Sequence, residues 1–146
     1  MRRTLKAVGT ATAAAACVLA ATAGTAQAQA PQTKSLYAPT ALVFTVGQGE
    51  DAASATVERA VTLTCAPRPA GTHPAAAAAC AELTKVNGQF GMLVTAEPTV
   101  ACTKEWRPVT VSVGGVWNGR HVSWSATFGN RCEMQAGLGQ GAALTF

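Results

Sequence analysis

Four cysteines beyond the first thirty residues, Cys65, Cys80, Cys102 and Cys132, constrain this chain more than any other feature. A fifth, Cys17, lies in a stretch built like an export signal. Arg2, Arg3 and Lys6 give it a positive start, residues 11–23 are alanine-rich and uncharged, and Ala26-Gln27-Ala28 and Ala28-Gln29-Ala30 are small-x-small cleavage sites. The apolar run is too short and too weakly hydrophobic for a transmembrane anchor. Cys17 lacks the bulky aliphatic residue that a lipoprotein box carries upstream, so it is a passenger. Cleavage after Ala28 or Ala30 leaves one secreted domain, residues 31–146, with an even cysteine set. In an exported chain that set reads as two disulfides. Three pairings exist on paper. Neighbour pairing, Cys65 with Cys80 and Cys102 with Cys132, is expected, and each closed loop would stabilise the fold by about 3 to 4 kcal/mol in the chain-entropy model. A metal site is not expected, because no C-x-x-C pair is present and only His73 and His121 could join the cysteines.

Charge narrows the partners. The chain has 11 basic and 7 acidic residues, and removing Arg2, Arg3 and Lys6 leaves it nearly neutral. The basic character belongs to the leader, so neither nucleic acid nor a membrane surface is an expected partner.

Patterning predicts an α+β fold with an antiparallel sheet and one or two helices on one face. Residues 36–46 read as a strand with Leu42, Val43, Phe44 and Val46 at its apolar heart. Residues 47–51 read as a turn. Residues 56–65 alternate, placing Val57, Val61, Leu63 and Cys65 on one face. His73-Pro74 opens an alanine-rich helix that Gly88 stops. Phe90, Met92, Leu93 and Val94 are expected to be partly buried, and Glu97-Pro98 to bend the chain. Residues 109–117 and 120–128 flank Asn118-Gly119, a strong hairpin signal. A short helix is predicted over 131–136 and a last strand over 142–146.

Catalytic constellations are scarce. Asp51 is the one aspartate, His73 precedes a proline, His121 sits on a strand, and no serine occupies a Gly-x-Ser-x-Gly turn. The chain is read as a non-enzyme without a cofactor. Gly137-Leu138-Gly139-Gln140-Gly141 lacks the strand, helix and lysine of a phosphate loop and reads as a connector. Trp117 and Trp124 belong to the hairpin, whereas Trp106 is placed to contact something outside.

The segment Val100-Ala101-Cys102-Thr103-Lys104-Glu105-Trp106-Arg107-Pro108 carries the functional signal. A disulfide through Cys102 and the ring of Pro108 would stiffen an extended loop that presents Lys104. Such a loop enters a protease cleft as an added strand without the ordering cost of a free peptide. Should the Lys104–Glu105 bond be cut, both ends stay tied to the body.

Several motifs then resemble one family. Leu36-Tyr37-Ala38-Pro39 with Leu42-Val43 and Val46-Gly47, Glu58-Arg59-Ala60-Val61-Thr62-Leu63-Thr64-Cys65, Gly71-Thr72-His73-Pro74, Gly115-Val116-Trp117-Asn118-Gly119 and Asn130-Arg131-Cys132-Glu133-Met134 are similar to motifs of the subtilisin inhibitors of the Streptomyces type. The resemblance spans essentially the whole chain after the leader. It implies a secreted standard-mechanism serine-protease inhibitor, usually a homodimer, with a five-stranded antiparallel sheet, two helices packed on one face and two disulfides. It implies the pairs Cys65–Cys80 and Cys102–Cys132, a reactive bond at Lys104–Glu105, and Asn130 as a brace of the reactive loop. The founding type carries methionine at the primary-specificity position. Lys104 instead suits the acidic pocket of trypsin-like enzymes, and subtilisin-like enzymes, which accept many side chains there, remain expected partners. The rival reading is a secreted binding or structural protein of the same fold without inhibitory activity.

Overall fold

Valine-rich runs with period-two burial dictate the centre of the fold. The computed structural model describes residues 38–95 and 100–146, so the expected export leader and the expected Glu97-Pro98 bend lie outside the described residues. Four strands, β1 (Ala41–Gln48), β2 (Thr56–Thr64), β3 (Val109–Trp117) and β4 (Arg120–Phe128), pair antiparallel in the order β2-β1-β3-β4. The two inner strands bury Leu42, Phe44 and Val46 from β1 and Val109, Val111, Val113 and Trp117 from β3. Val61 and Leu63 extend this face across β2. Helix α1 (Ala76–Lys85) adds Ala79, Cys80 and Leu83, and helix α2 (Arg131–Leu138) adds Met134 and Leu138, to the same buried cluster.

The β3–β4 hairpin forms over the predicted ranges because Asn118 and Gly119 take the positive φ values of 48° and 78° that a tight primed turn requires. Elsewhere the chain departs from its pattern. β1 begins at Ala41, after Pro39 and Thr40, and runs on through the expected turn to Gln48. A register shift between Val46 and Gly47 leaves Glu58 without a partner. That bulge turns Val57 outward, so it is 55% exposed instead of lying on the core face. A 3-10 turn over Phe90–Leu93 buries Phe90 but leaves Met92 exposed, against the expectation of burial. α2 continues through Gly137 and Leu138, which therefore are not a connector. A Cβ on Gly137 would lie 2.7 Å from the ring of Phe128, and that close approach explains the glycine.

The sheet has four strands among the described residues, not five. The expected last strand, 142–146, forms no ladder. Its backbone finds side-chain partners instead: Ala143 N–H donates to Glu82 Oε2 at 2.7 Å, and Ala143 C=O lies 3.3 Å from His73 Nε2. Ala143 and Leu144 are thereby driven into the core. Burial of Leu144 contributes on the order of 2 kcal/mol, about as much as two edge-strand hydrogen bonds would.

His73 links this tail to the start of α1. Its Nδ1 accepts the Ala75 N–H at 3.2 Å, so Nε2 carries the proton and donates to Ala143. The ring packs edge-on to Phe44 at 5.6 Å. Burial holds its pKa below the ordinary 6.5; the Ala143 carbonyl opposes that shift and Arg59 adds to it. The unfolded chain therefore takes up a proton at a pH where the folded chain refuses it. The stability gained from neutral His73 is complete above the unfolded value and is lost as pH falls through the lowered folded value. A denaturant midpoint that is flat above pH ~7 and declines toward pH ~5 is expected, with a shallower decline in His73→Gln. Equal slopes in the two proteins would remove His73 as the cause.

Candidate functional site

The loop between residues 100 and 108 has no ladder or helix of its own, and its shape comes from what the rest of the fold donates to it. Val100 and Trp106 are 59% and 64% exposed, and the Lys104 side chain is 90% exposed. Cys102 is bonded to Cys132 in the first turn of α2, with Cα atoms 5.8 Å apart, and Cys65 is bonded to Cys80 in α1. The second bridge fastens the α1 side of the core and lies outside the loop.

Asn130 organises the segment. It sits at the β4–α2 junction, 8% exposed, in extended conformation at the N-cap of α2. Its Oδ1 accepts the Glu133 N–H at 3.0 Å. Its Nδ2 donates to the carbonyls of Thr103, at 2.9 Å, and Glu105, at 3.1 Å. The reversed amide would set an oxygen against two carbonyls, so the orientation is fixed by the network. One side chain thus caps a helix and grips the carbonyl on each side of Lys104.

The β1–β2 turn and the β4–α2 junction hold the following residues. Trp106 Nε1 donates to Glu50 Oε1 at 2.8 Å, and the Glu50 carbonyl accepts from Thr127 Oγ1 at 2.9 Å. Arg107 N–H donates to the Gly129 carbonyl at 2.8 Å. The Pro108 carbonyl accepts from Gly49 N–H at 2.9 Å and from Gln48 Nε2 at 2.7 Å. Glu105 and Arg107, both exposed, approach to 3.8 Å. Lys104 Nζ lies 3.3 Å from Glu133 Oε1, while Glu133 Oε2 accepts from Gly129 N–H at 3.2 Å.

The structure brings Cys102, Thr103, Lys104, Glu105, Trp106, Pro108, Asn130 and Cys132 into one assembly. Ala101 and Val100 are exposed on its upstream side. Sequence reasoning missed Gln48, Gly49, Glu50, Gly129 and Glu133. Only Glu133 had a local signal, since Asn130-x-x-Glu133 follows the spacing of a capping box. The possible catalytic groups are not assembled. His73 is in the core, His121 is exposed on β4, and the Asp51 carboxylate accepts the Ala53 N–H in an exposed turn. Among the described residues no group of three metal-ligating side chains occurs, and no helix is long and apolar enough to cross a membrane.

Comparison with known proteins gives a consistent set of likenesses. The profile of the subtilisin inhibitor-like family matches residues 38–130. The chain is similar to a subtilisin inhibitor of Streptomyces violaceus, with 77% identity over 146 residues, all of both chains. It is similar to kexstatin-1 of Streptomyces platensis, with 54% identity over 124 residues, 82% of this chain and 86% of the relative. Among solved structures it is similar to a chain in the crystal structure of Streptomyces caespitosus sermetstatin in complex with Bacillus licheniformis subtilisin. That match has a TM-score of 0.68 and 44% identity and covers 73% of this chain and 97% of the other.

Proposed function

The chain belongs to the subtilisin inhibitor-like family, a family of protease inhibitors and not of enzymes, and from that premise we propose that it is a secreted standard-mechanism inhibitor of serine proteases, trypsin-like and subtilisin-like, with Lys104–Glu105 as the presented bond. The observation that carries this reading is the double grip of Asn130 on the Thr103 and Glu105 carbonyls. An exposed loop ordinarily has to be ordered on binding; this one is held in advance by the buried Asn130 side chain and the disulfide. Similarity to a protein solved with subtilisin supports the subtilisin-like partner, and the lysine supports the trypsin-like one, whose acidic pocket offers a charge-assisted contact.

The two sides of the bond have separate tethers, which is what slow and reversible cleavage needs. Upstream, the Cys102–Cys132 bridge holds the new carboxyl end. Downstream, the Glu50, Gly129, Gly49 and Gln48 contacts hold the new amino end. A cut loop then keeps its ends together, and resynthesis competes with release.

Titration of trypsin and subtilisin with the purified chain, followed by mass spectrometry, tests the reading. Stoichiometric loss of trypsin activity with slow nicking at Lys104–Glu105 is expected. Full activity with rapid digestion of the loop would instead favour the binding or structural protein of the same fold. The homodimer is part of the proposal: the outer sheet face pairs Val43 with Gly114 and Thr45 with Ser112, small or β-branched residues, and leaves Val43 46% exposed. Sedimentation of the same sample as a monomer at micromolar concentration would remove it.

A further inference from the structure

Resting on Lys104–Glu105 as the presented bond, we infer that Glu133 sets the affinity of the loop, as an internal counter-ion that competes with the protease pocket for the Lys104 ammonium. The Glu133 carboxylate is anchored before Lys104 arrives. Its Oε2 holds the Gly129 N–H at 3.2 Å, its backbone N–H is held by Asn130 at 3.0 Å, and its side chain is 29% exposed. Only the lysine, 90% exposed, must be ordered to close the 3.3 Å contact, so this pair costs less conformational entropy than one between two free side chains.

A lysine laid against its own protein cannot at the same time extend into a pocket. Every protease that uses Lys104 therefore has to detach it from Glu133. What it receives afterwards depends on the enzyme. An acidic pocket returns a carboxylate to the ammonium, and a pocket without one does not. Glu133 thus lowers affinity at every lysine-accepting pocket by the same factor, and an acid in the pocket adds its own attraction on top of that common cost. The opposite role, in which the ion pair pre-sets the loop, is distinguishable because Glu133→Gln retains an acceptor for the Gly129 N–H and leaves the Asn130 cap in place.

A double-mutant cycle between Glu133→Gln and Lys104→Met, read as inhibition constants against trypsin and subtilisin, tests the inference. At low ionic strength, Glu133→Gln should tighten inhibition of both enzymes about two- to fivefold when Lys104 is present. The gain should vanish near 1 M salt, where screening extends to about 3 Å, and should be absent in the Lys104→Met background. Unchanged or weaker inhibition from Glu133→Gln, or the same gain in the Lys104→Met background, overturns it. Carbon relaxation at Lys104 Cε in the free protein supplies a readout that needs no protease. Glu133→Gln should raise its mobility to that of Lys85, and equal mobility in both proteins means no pair is populated. Were the parent to inhibit neither enzyme, both the presented bond and the role of Glu133 would fall, and the relaxation data would still report whether the pair forms.

Discussion

Lys104→Ala is expected to weaken inhibition of trypsin by about 30- to 700-fold while leaving stability nearly unchanged. A buried anchor at the centre of a protease interface typically costs about 2 to 4 kcal/mol on truncation, and each 1.4 kcal/mol is tenfold in affinity. In the free protein the side chain is 90% exposed and, among the described residues, its hydrogen-bond partner is Glu133, so its loss should change stability by less than about 0.5 kcal/mol. Those two outcomes separate a recognition residue from a folding residue. Lys104→Met removes the charge but keeps an unbranched apolar stem, and it should retain or improve inhibition of subtilisin. Inhibition constants for both enzymes, with a denaturant midpoint for each variant, make the comparison. Alanine and methionine variants that inhibit trypsin as well as the parent would place the presented bond elsewhere.

What could be read from the residues depended on how far apart the interacting groups lie in the chain. The hairpin of β3 and β4 was legible to the residue because Asn118-Gly119 and its alternating flanks act locally. The direction of Val57 was not, because it depends on a bulge set by pairing with β1. The tail from 142 to 146 ends in Leu144, Thr145 and Phe146, residues that would suit a strand. Its fate is decided by Glu82 and His73, some sixty to seventy positions away, which take its backbone groups before any strand can. At the site, Lys104, its flanking cysteine and Pro108 declare themselves through spacing. Glu50 does not, since nothing near it indicates that Trp106, across 56 positions, will donate to its carboxylate. Glu133 lies between these cases: its spacing from Asn130 marks a helix start, but its contact with Lys104 needs the Cys102–Cys132 bridge to bring the loop over α2.

Asn130 combines two roles that substitution can separate, and its variants should show the second-largest effect. Asn130→Ala removes an N-cap, worth about 1 kcal/mol, and two hydrogen bonds donated to backbone carbonyls, each worth about 0.5 to 1.5 kcal/mol net. A loss of about 2 to 4 kcal/mol in stability is expected, with cleavage of Lys104–Glu105 by trypsin at least tenfold faster. Asn130→Asp keeps the oxygen that accepts the Glu133 N–H, and aspartate caps as well as asparagine. It also replaces the donor by an oxygen facing the Thr103 and Glu105 carbonyls, which now repel it. The start of α2 should therefore survive in the aspartate variant while the loop is released. Time courses of intact protein with catalytic trypsin, followed by mass spectrometry, distinguish the roles. Rapid cleavage in both variants assigns the slow turnover of the bond to the grip on its flanking carbonyls. An aspartate variant as resistant as the parent would reduce Asn130 to a helix cap, and the rigidity of the loop would then have to come from the disulfide and the Glu50–Trp106 contact alone.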